Sequence, residues 1–166
     1  WNVRLERCFL QLVNIAALFK GVQADVYLQL SGANVTAIGC TLERTVNLLN
    51  RSSLDARNCS LLCALSTTGQ LCTRQYCPTP SLSLVQCTIE SGQDWDLSKG
   101  VLANFTFCTL NRTTIQTNGA LLTFSRSLFD GPNPFVVIED MGDDKPGHYE
   151  VLFDACVFPR AEVLAR

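Results

Sequence analysis

Two groups of side chains in this 166-residue chain have types and spacings that could do chemistry: nine cysteines, and a knot of carboxylates near the C-terminal end. The knot is Glu139, Asp140, Asp143 and Asp144, followed by Lys145 and the single histidine, His148. Carboxylates held a fixed distance apart can act as acid and base in glycoside cleavage. Oxygen ligands at Asp140, Asp143 and Asp144 could instead converge on calcium as a weak site. These residues share one Gly- and Pro-punctuated stretch, Met141 to Gly147, and that composition reads as a solvated turn. Cys59, Cys63, Cys72 and Cys77 are spaced C-x3-C, x8, C-x4-C, close to a four-thiolate zinc pattern. Cys59 belongs to a repeat described below, so the expectation is disulfides rather than zinc, drawn from Cys63, Cys72 and Cys77. Cys72 and Cys77 close the shortest loop, and Cys63 is left for whichever remains or for Cys59. No G-x-S-x-G, H-E-x-x-H, P-loop or dinucleotide fingerprint occurs. Trp1 and Trp95 could stack on sugars but read more simply as plugs of a coil end or loop base. The chain is expected to be no enzyme and to hold no cofactor or metal.

What positions the cysteines is a phrase written seven times: apolar, any, apolar, any, any, Cys, any, apolar. It begins at Val3, Val35, Leu54, Leu82, Ala103, Leu122 and Val151, with Ser127 replacing Cys in the sixth copy. The sixth positions are Cys8, Cys40, Cys59, Cys87, Cys108, Ser127 and Cys156, and the steps between them are 32, 19, 28, 21, 19 and 29. A recurring minimum of 19 with longer exceptions is a fixed coil carrying loops of variable size. Apolar residues at i, i+2, i+5 and i+7 fit no helical face, whereas strand, bend and second strand put all four indoors. The expectation is an all-β, right-handed parallel β-helix of about seven coils with an internal ladder of Cys8, Cys40, Cys59, Cys87, Cys108 and Cys156. Stacked side chains on parallel strands point the same way, which suits small free thiols better than relaxed disulfides. One domain over 1–166 is expected, with loop insertions at about 11–34, 62–81 and 130–150. Within the first of these, Val26, Leu28 and Leu30 read as a strand, and a short amphipathic helix fits Leu12 to Phe19. The other fold considered is an antiparallel pilin-like β-sandwich, which the variable gaps suit badly.

Thr117-Asn118-Gly119-Ala120-Leu121-Leu122-Thr123-Phe124-Ser125-Arg126-Ser127-Leu128-Phe129-Asp130-Gly131 resembles the G-G-A-I, then F-S-x-S-x-F-x-x-N repeat of polymorphic outer-membrane-protein adhesins and other pectate-lyase-like β-helix proteins. Lys99-Gly100-Val101-Leu102 before Phe105 and Cys108 is a weaker copy. The resemblance implies the fold and little about chemistry.

Hydrophobic residues make up 47% and charged residues 17%, enough to fill a continuous core. A net charge of -2 gives no basic field for nucleic acid, and nothing approaches the roughly 20 apolar residues of a membrane span. Five N-x-S/T sequons, at Asn34, Asn50, Asn58, Asn104 and Asn111, exceed the one or two expected by chance and point to a secreted, N-glycosylated, extracellular chain. Cys8 to Phe19 could be a signal-peptide core and Val22-Gln23-Ala24 a cleavage site, but Asn14 and the phrase itself argue for a chain already processed at Trp1. The first phrase starts at Val3 and the last finishes at Phe158, which leaves little for caps, so coils are expected to stack on further coils. The expected function is a structural protomer that polymerises head to tail with itself into an extracellular fibre or surface appendage. An adhesin or carbohydrate-binding segment of a larger surface protein is the alternative, and a polysaccharide lyase or hydrolase comes last.

Overall fold

The chain folds as a parallel β-helix. The computed structural model describes residues 4–68, 80–90, 92, 94–97, 101–117, 120–130, 136–138, 150–159 and 163–165. Among these there is no helix, and every strand pairing is parallel, so the antiparallel sandwich is overturned. Sheet B holds β2 (Ala16–Lys20), β4 (Asn34–Ile38), β6 (Ser53–Arg57), β8 (Ser81–Val85), β11 (Leu102–Thr106), β14 (Leu121–Ser125) and β17 (Glu150–Asp154), stacked in that order. Sheet A runs from β1 (Arg4–Val13) through β3 (Gln23–Ser31), β5 (Thr41–Leu49), β7 (Ser60–Thr68), β10 (Trp95–Asp96) and β13 (Ile115–Thr117) to β16 (Val136–Ile138) and β18 (Val163–Ala165). From the fourth coil the sheet A strand is split, and β9 (Thr88–Ile89), β12 (Thr109–Asn111) and β15 (Leu128–Asp130) form its first part.

Strict alternation builds the core. In each sheet B strand the second and fourth residues point inward, so Val35, Leu54, Leu82, Ala103 and Leu122 form one buried file. Ala37, Ala56, Leu84, Phe105 and Phe124 form the other. The second file thickens along the axis, and from Phe105 onward it becomes an aromatic stack: Phe105 to Phe124 at 4.4 Å, Phe124 to Phe153 at 5.2 Å. Trp95 closes the start of this stack, fully buried, 6.3 Å from Phe105, its indole N–H donating to the Cys63 carbonyl at 2.8 Å. That is the plug role, with the polar handle satisfied. Burial of each such aromatic or leucine contributes about 1.5–3 kcal/mol, so the files rather than any single contact hold the coils together.

The first phrase is out of register. Its residues Arg4 to Leu10 lie in β1 of sheet A, where Arg7 adopts φ 48° and the ladder to β3 shifts between Glu6 and Cys8. Cys8 therefore faces Val26, is exposed, and takes no part in the ladder. The residue that does occupy the cysteine position in that coil is Val22, one step before Gln23, which pairs with Thr41 just as Thr41 pairs with Ser60. Residues 11–34 are consequently no insertion. They hold β2, β3 and two bends, with Val26, Leu28 and Leu30 buried in β3 and strand where a helix over Leu12 to Phe19 was expected. Of the segment 62–81, residues up to Thr68 belong to β7 and 69–79 lie outside the described residues; within 130–150, Val136–Ile138 forms β16.

Candidate functional site

The corner between sheet B and sheet A is built the same way seven times. The residue before each ladder position is left-handed: Gly21 (φ 62°), Gly39 (61°), Asn58 (51°), Gln86 (54°), Phe107 (53°), Arg126 (50°) and Ala155 (51°). Side chains other than Gly or Asn cost about 1–2 kcal/mol there, so something must hold the corner shut. The ladder residue does so. The Cys59 thiol is shared between the Ala37 carbonyl (3.4 Å) one coil back and the Arg57 carbonyl (3.2 Å) in its own coil, and its sulfur accepts the Cys40 N–H (3.4 Å). Ser127 repeats the arrangement with Phe105 (3.4 Å), Ser125 (3.1 Å) and the Cys108 N–H (3.1 Å). Cys87, Cys108 and Cys156 donate to the equivalent carbonyl pairs. At six of the seven corners the ladder side chain donates a hydrogen bond, which explains why Ser substitutes for Cys, while Val22 fills the first corner without one.

Cys40, Cys59, Cys87 and Cys108 are buried free thiols and Cys156 is half-buried. The hydrogen bond with Cys87, then burial, pushes the Cys59 thiol well up, and the hydrogen bond with Cys108 pushes Cys87 up to about 11. Cys108 moves down, chiefly through its contact with the Cys87 side chain. Cys63, expected as a disulfide partner, points into the core of β7 as a free thiol, fully buried, and burial pushes it up to about 12. Raised and enclosed, the Cys59, Cys63 and Cys87 thiols carry little thiolate at neutral pH, the form that attacks electrophiles. Cys72 and Cys77 lie outside the described residues, as do Trp1 and the calcium candidates Asp140, Asp143 and Asp144. Among the described residues no three His, Cys, Asp or Glu side chains converge.

The sequons fall into two kinds. In Asn34-Val35-Thr36 and Asn104-Phe105-Thr106 the strand alternation puts Asn and Thr together on the outer face of sheet B, with Val35 and Phe105 inside. Asn58 and Asn50 are exposed at left-handed corners, and Asn111 is half-buried in β12. The hydroxyl partners of Asn50 and Asn111 are already engaged, since Ser52 is buried and donates to the Leu49 (2.5 Å) and Leu30 (2.8 Å) carbonyls, and Thr113 is buried and donates to the Asn111 carbonyl at 3.1 Å. Period-two alternation thus favours N-x-T by itself, a signal that counting sequons does not separate from glycosylation.

Three features went unforeseen in the sequence. On the outer face of sheet A, Glu6, Asp25 and Glu43 line one row beside a groove of about 300 Å3 that Leu5, Arg7 and Gln23 complete. Arg44 binds Asp25 and lies over the Tyr27 ring at 5.9 Å, which neutralises part of that row. Next to it the exposed rings of Phe9 and Tyr27 are neighbours on adjacent strands, flanked by the polar row Gln11, Gln29, Asn47 and Ser66. Finally, both ends of the stack are apolar. At the C-terminal end Phe153 and Phe158 are 36% and 38% exposed, and at the N-terminal end Leu5, Leu10 and Phe19 rim a hollow that reaches Val22 and Val26. No family model, characterised protein or solved structure matches this chain.

Proposed function

We propose that the chain is a non-catalytic structural protein: a secreted, N-glycosylated protomer that stacks head to tail with further copies into an extracellular fibre or surface appendage. The observation that carries the reading is the pair of open ends. The aromatic file Phe105, Phe124, Phe153 arrives at one end with its last ring 36% exposed beside Phe158, and Phe19 stands in the equivalent file at the other. Partly exposed rings, and the outer edges of β17 at one end and of β1 and β2 at the other, which pair with no strand among the described residues, favour another coil as their cover. Such a heterologous interface does not close on itself, so it generates filaments. Glycans at Asn34 and Asn104 would project from the outer face and keep filaments apart without blocking the ends. The repeat phrases resemble those of the pectate-lyase-like β-helix proteins and of polymorphic outer-membrane adhesins, which supports a place at the cell surface. Electron microscopy of purified glycosylated protein tests the proposal: filaments are expected, and monodisperse single particles at high concentration would end it.

A second reading, an adhesin or carbohydrate-binding segment of a larger surface protein, is favoured by the exposed Phe9 and Tyr27 rings beside Gln29 and Asn47, an aromatic platform with amides at its edge. Retention on an affinity gel of neutral polysaccharide, lost in Tyr27→Ala, would support it.

A further inference from the structure

Resting on the glycosylation in that reading, we infer that the first sugar ring of a glycan on Asn104 lies over Leu102 and Leu121, so that the glycan becomes part of the fold. The inference comes from a break in a row. On the outer face of sheet B the first strand position reads Asn34, Ser53, Ser81, then Leu102 and Leu121, then Glu150. Two leucines, 44% and 38% exposed, interrupt an otherwise polar row. They stand on the strand that holds the Asn104-Phe105-Thr106 sequon and on the strand beside it. Both lie within the stack, with β8 on one side and β17 on the other, so their exposure owes nothing to an open end.

Geometry and size select the occupant. Outward positions on one strand are about 6.6 Å apart and neighbouring strands about 4.8 Å, so both leucines are within reach of a ring borne by the exposed Asn104 amide. Ser83 and Thr123, which flank Asn104 across the sheet, are short and leave room for it. On the opposite side stands Thr106, and the exposed Phe107 ring beyond it already lies under the Arg126 guanidinium at 5.5 Å. A pyranose ring presents C–H groups on its faces and hydroxyls at its rim, so it can cover leucine while the rim stays in water. Even with Leu152 on β17, 46% exposed, the patch falls far short of the about 800 Å2 per partner that a stable protein interface buries. A small tethered group suffers no such limit, because attachment holds it at an effective concentration on the order of millimolar, where a weak contact is populated. The outer branches still extend into solvent. Asn34 is the contrast: the next outward residue on its strand is Thr36, its side-chain oxygen accepts from the Ser53 hydroxyl at 2.8 Å, and Leu18 stands only diagonally from it.

The test is a coupling measurement on protein secreted from a eukaryotic host, where the first ring is N-acetylglucosamine. Peptide mass mapping reads occupancy, and thermal midpoints are compared for Asn104→Gln, Leu102→Thr, Leu121→Thr and the two pairs that include Asn104→Gln. Loss of the Asn104 glycan should lower the midpoint by about 2–4 °C. Leu102→Thr should lower it by a similar amount in the glycosylated protein and leave it unchanged on the Asn104→Gln background, because both changes remove one contact. Leu121→Thr, on the neighbouring strand, should behave alike. Enzymatic trimming of every glycan to its first ring should keep the midpoint of the untrimmed protein, and in unglycosylated protein from a bacterial host Asn104→Gln should change nothing. Leucine effects that are equal with and without the glycan, or a midpoint that falls on trimming, would overturn the inference while leaving glycosylation intact. An unoccupied Asn104 would overturn both, and absence of filaments would overturn neither.

Discussion

Replacing Ser127 by alanine separates two accounts of the ladder, one in which its members are merely small apolar fillers and one in which they hydrogen-bond the corners shut. Ser127 is 1% exposed, accepts the Cys108 N–H at 3.1 Å, and shares its proton between the Phe105 and Ser125 carbonyls. Alanine leaves that N–H buried without an acceptor, which costs about 1–3 kcal/mol. Valine fills the space but restores no acceptor, so it should fare no better. Cysteine reproduces the partners used at Cys59 and should fall within about 1 kcal/mol of the parent. The measurement is urea unfolding followed by circular dichroism, with a common slope across the series so that midpoints report stability. The expected order is Ser, then Cys, then Ala and Val together. Alanine or valine at or above the parent would show that the corner needs no hydrogen bond, and the account of why Cys and Ser share this position would fail.

Four further outcomes follow from the geometry. Cys63 titrates near 9.0 in an ordinary setting and is pushed up to about 12 by burial, so its contribution is complete below pH 9 and is lost as pH rises toward 12, when the unfolded chain ionises first; the slope of stability against pH between 9 and 11 should flatten in Cys63→Ala. Gly32 sits at φ 62°, and a Cβ there would push aside only the exposed Asn14 side chain, so the backbone strain decides; Gly32→Ala should lower stability by about 1–2 kcal/mol in the same urea assay. In the native protein a thiol reagent should modify Cys8 within minutes and leave Cys59 and Cys87 untouched until denaturant is added, read by peptide mass mapping. Mass spectrometry of protein secreted from a eukaryotic host should find glycan on Asn34 and Asn104, and Asn34→Gln should remove one glycan without changing the thermal midpoint.

Alternation was the part of the fold most plainly written in the residues. Five consecutive positions such as Leu82, Ser83, Leu84, Val85 and Gln86 can face in, out and round a corner in only one way, and the cysteine that follows marks the corner. What misled was the same cysteine used as a flag. Cys8 follows Val3 and Leu5 at the right spacing, yet Ala17-Leu18-Phe19-Lys20-Gly21-Val22 is the true first copy, with Val22 in the marked place. Gly21 before Val22 matches Gly39 before Cys40, and that shared left-handed glycine was the signal that could have marked the first corner. The level that each strand occupies, by contrast, follows from pairing across two sheets, and no local pattern encodes it. The Phe9 and Tyr27 pair was hidden for a related reason: the two stand a whole coil apart in sequence, and only the register of β1 on β3 brings them side by side.

Because the strands lie across the long axis, every backbone hydrogen bond of both sheets lies along it. Tension applied through the tips is thus borne by bonds pulled end-on, a few at a time, and the tower should lengthen by peeling one turn after another instead of rupturing at once. Slack released at each turn is close to the full contour of the chain in that turn, several times the thickness of the layer it leaves, so such a material would trade modest force for long reach.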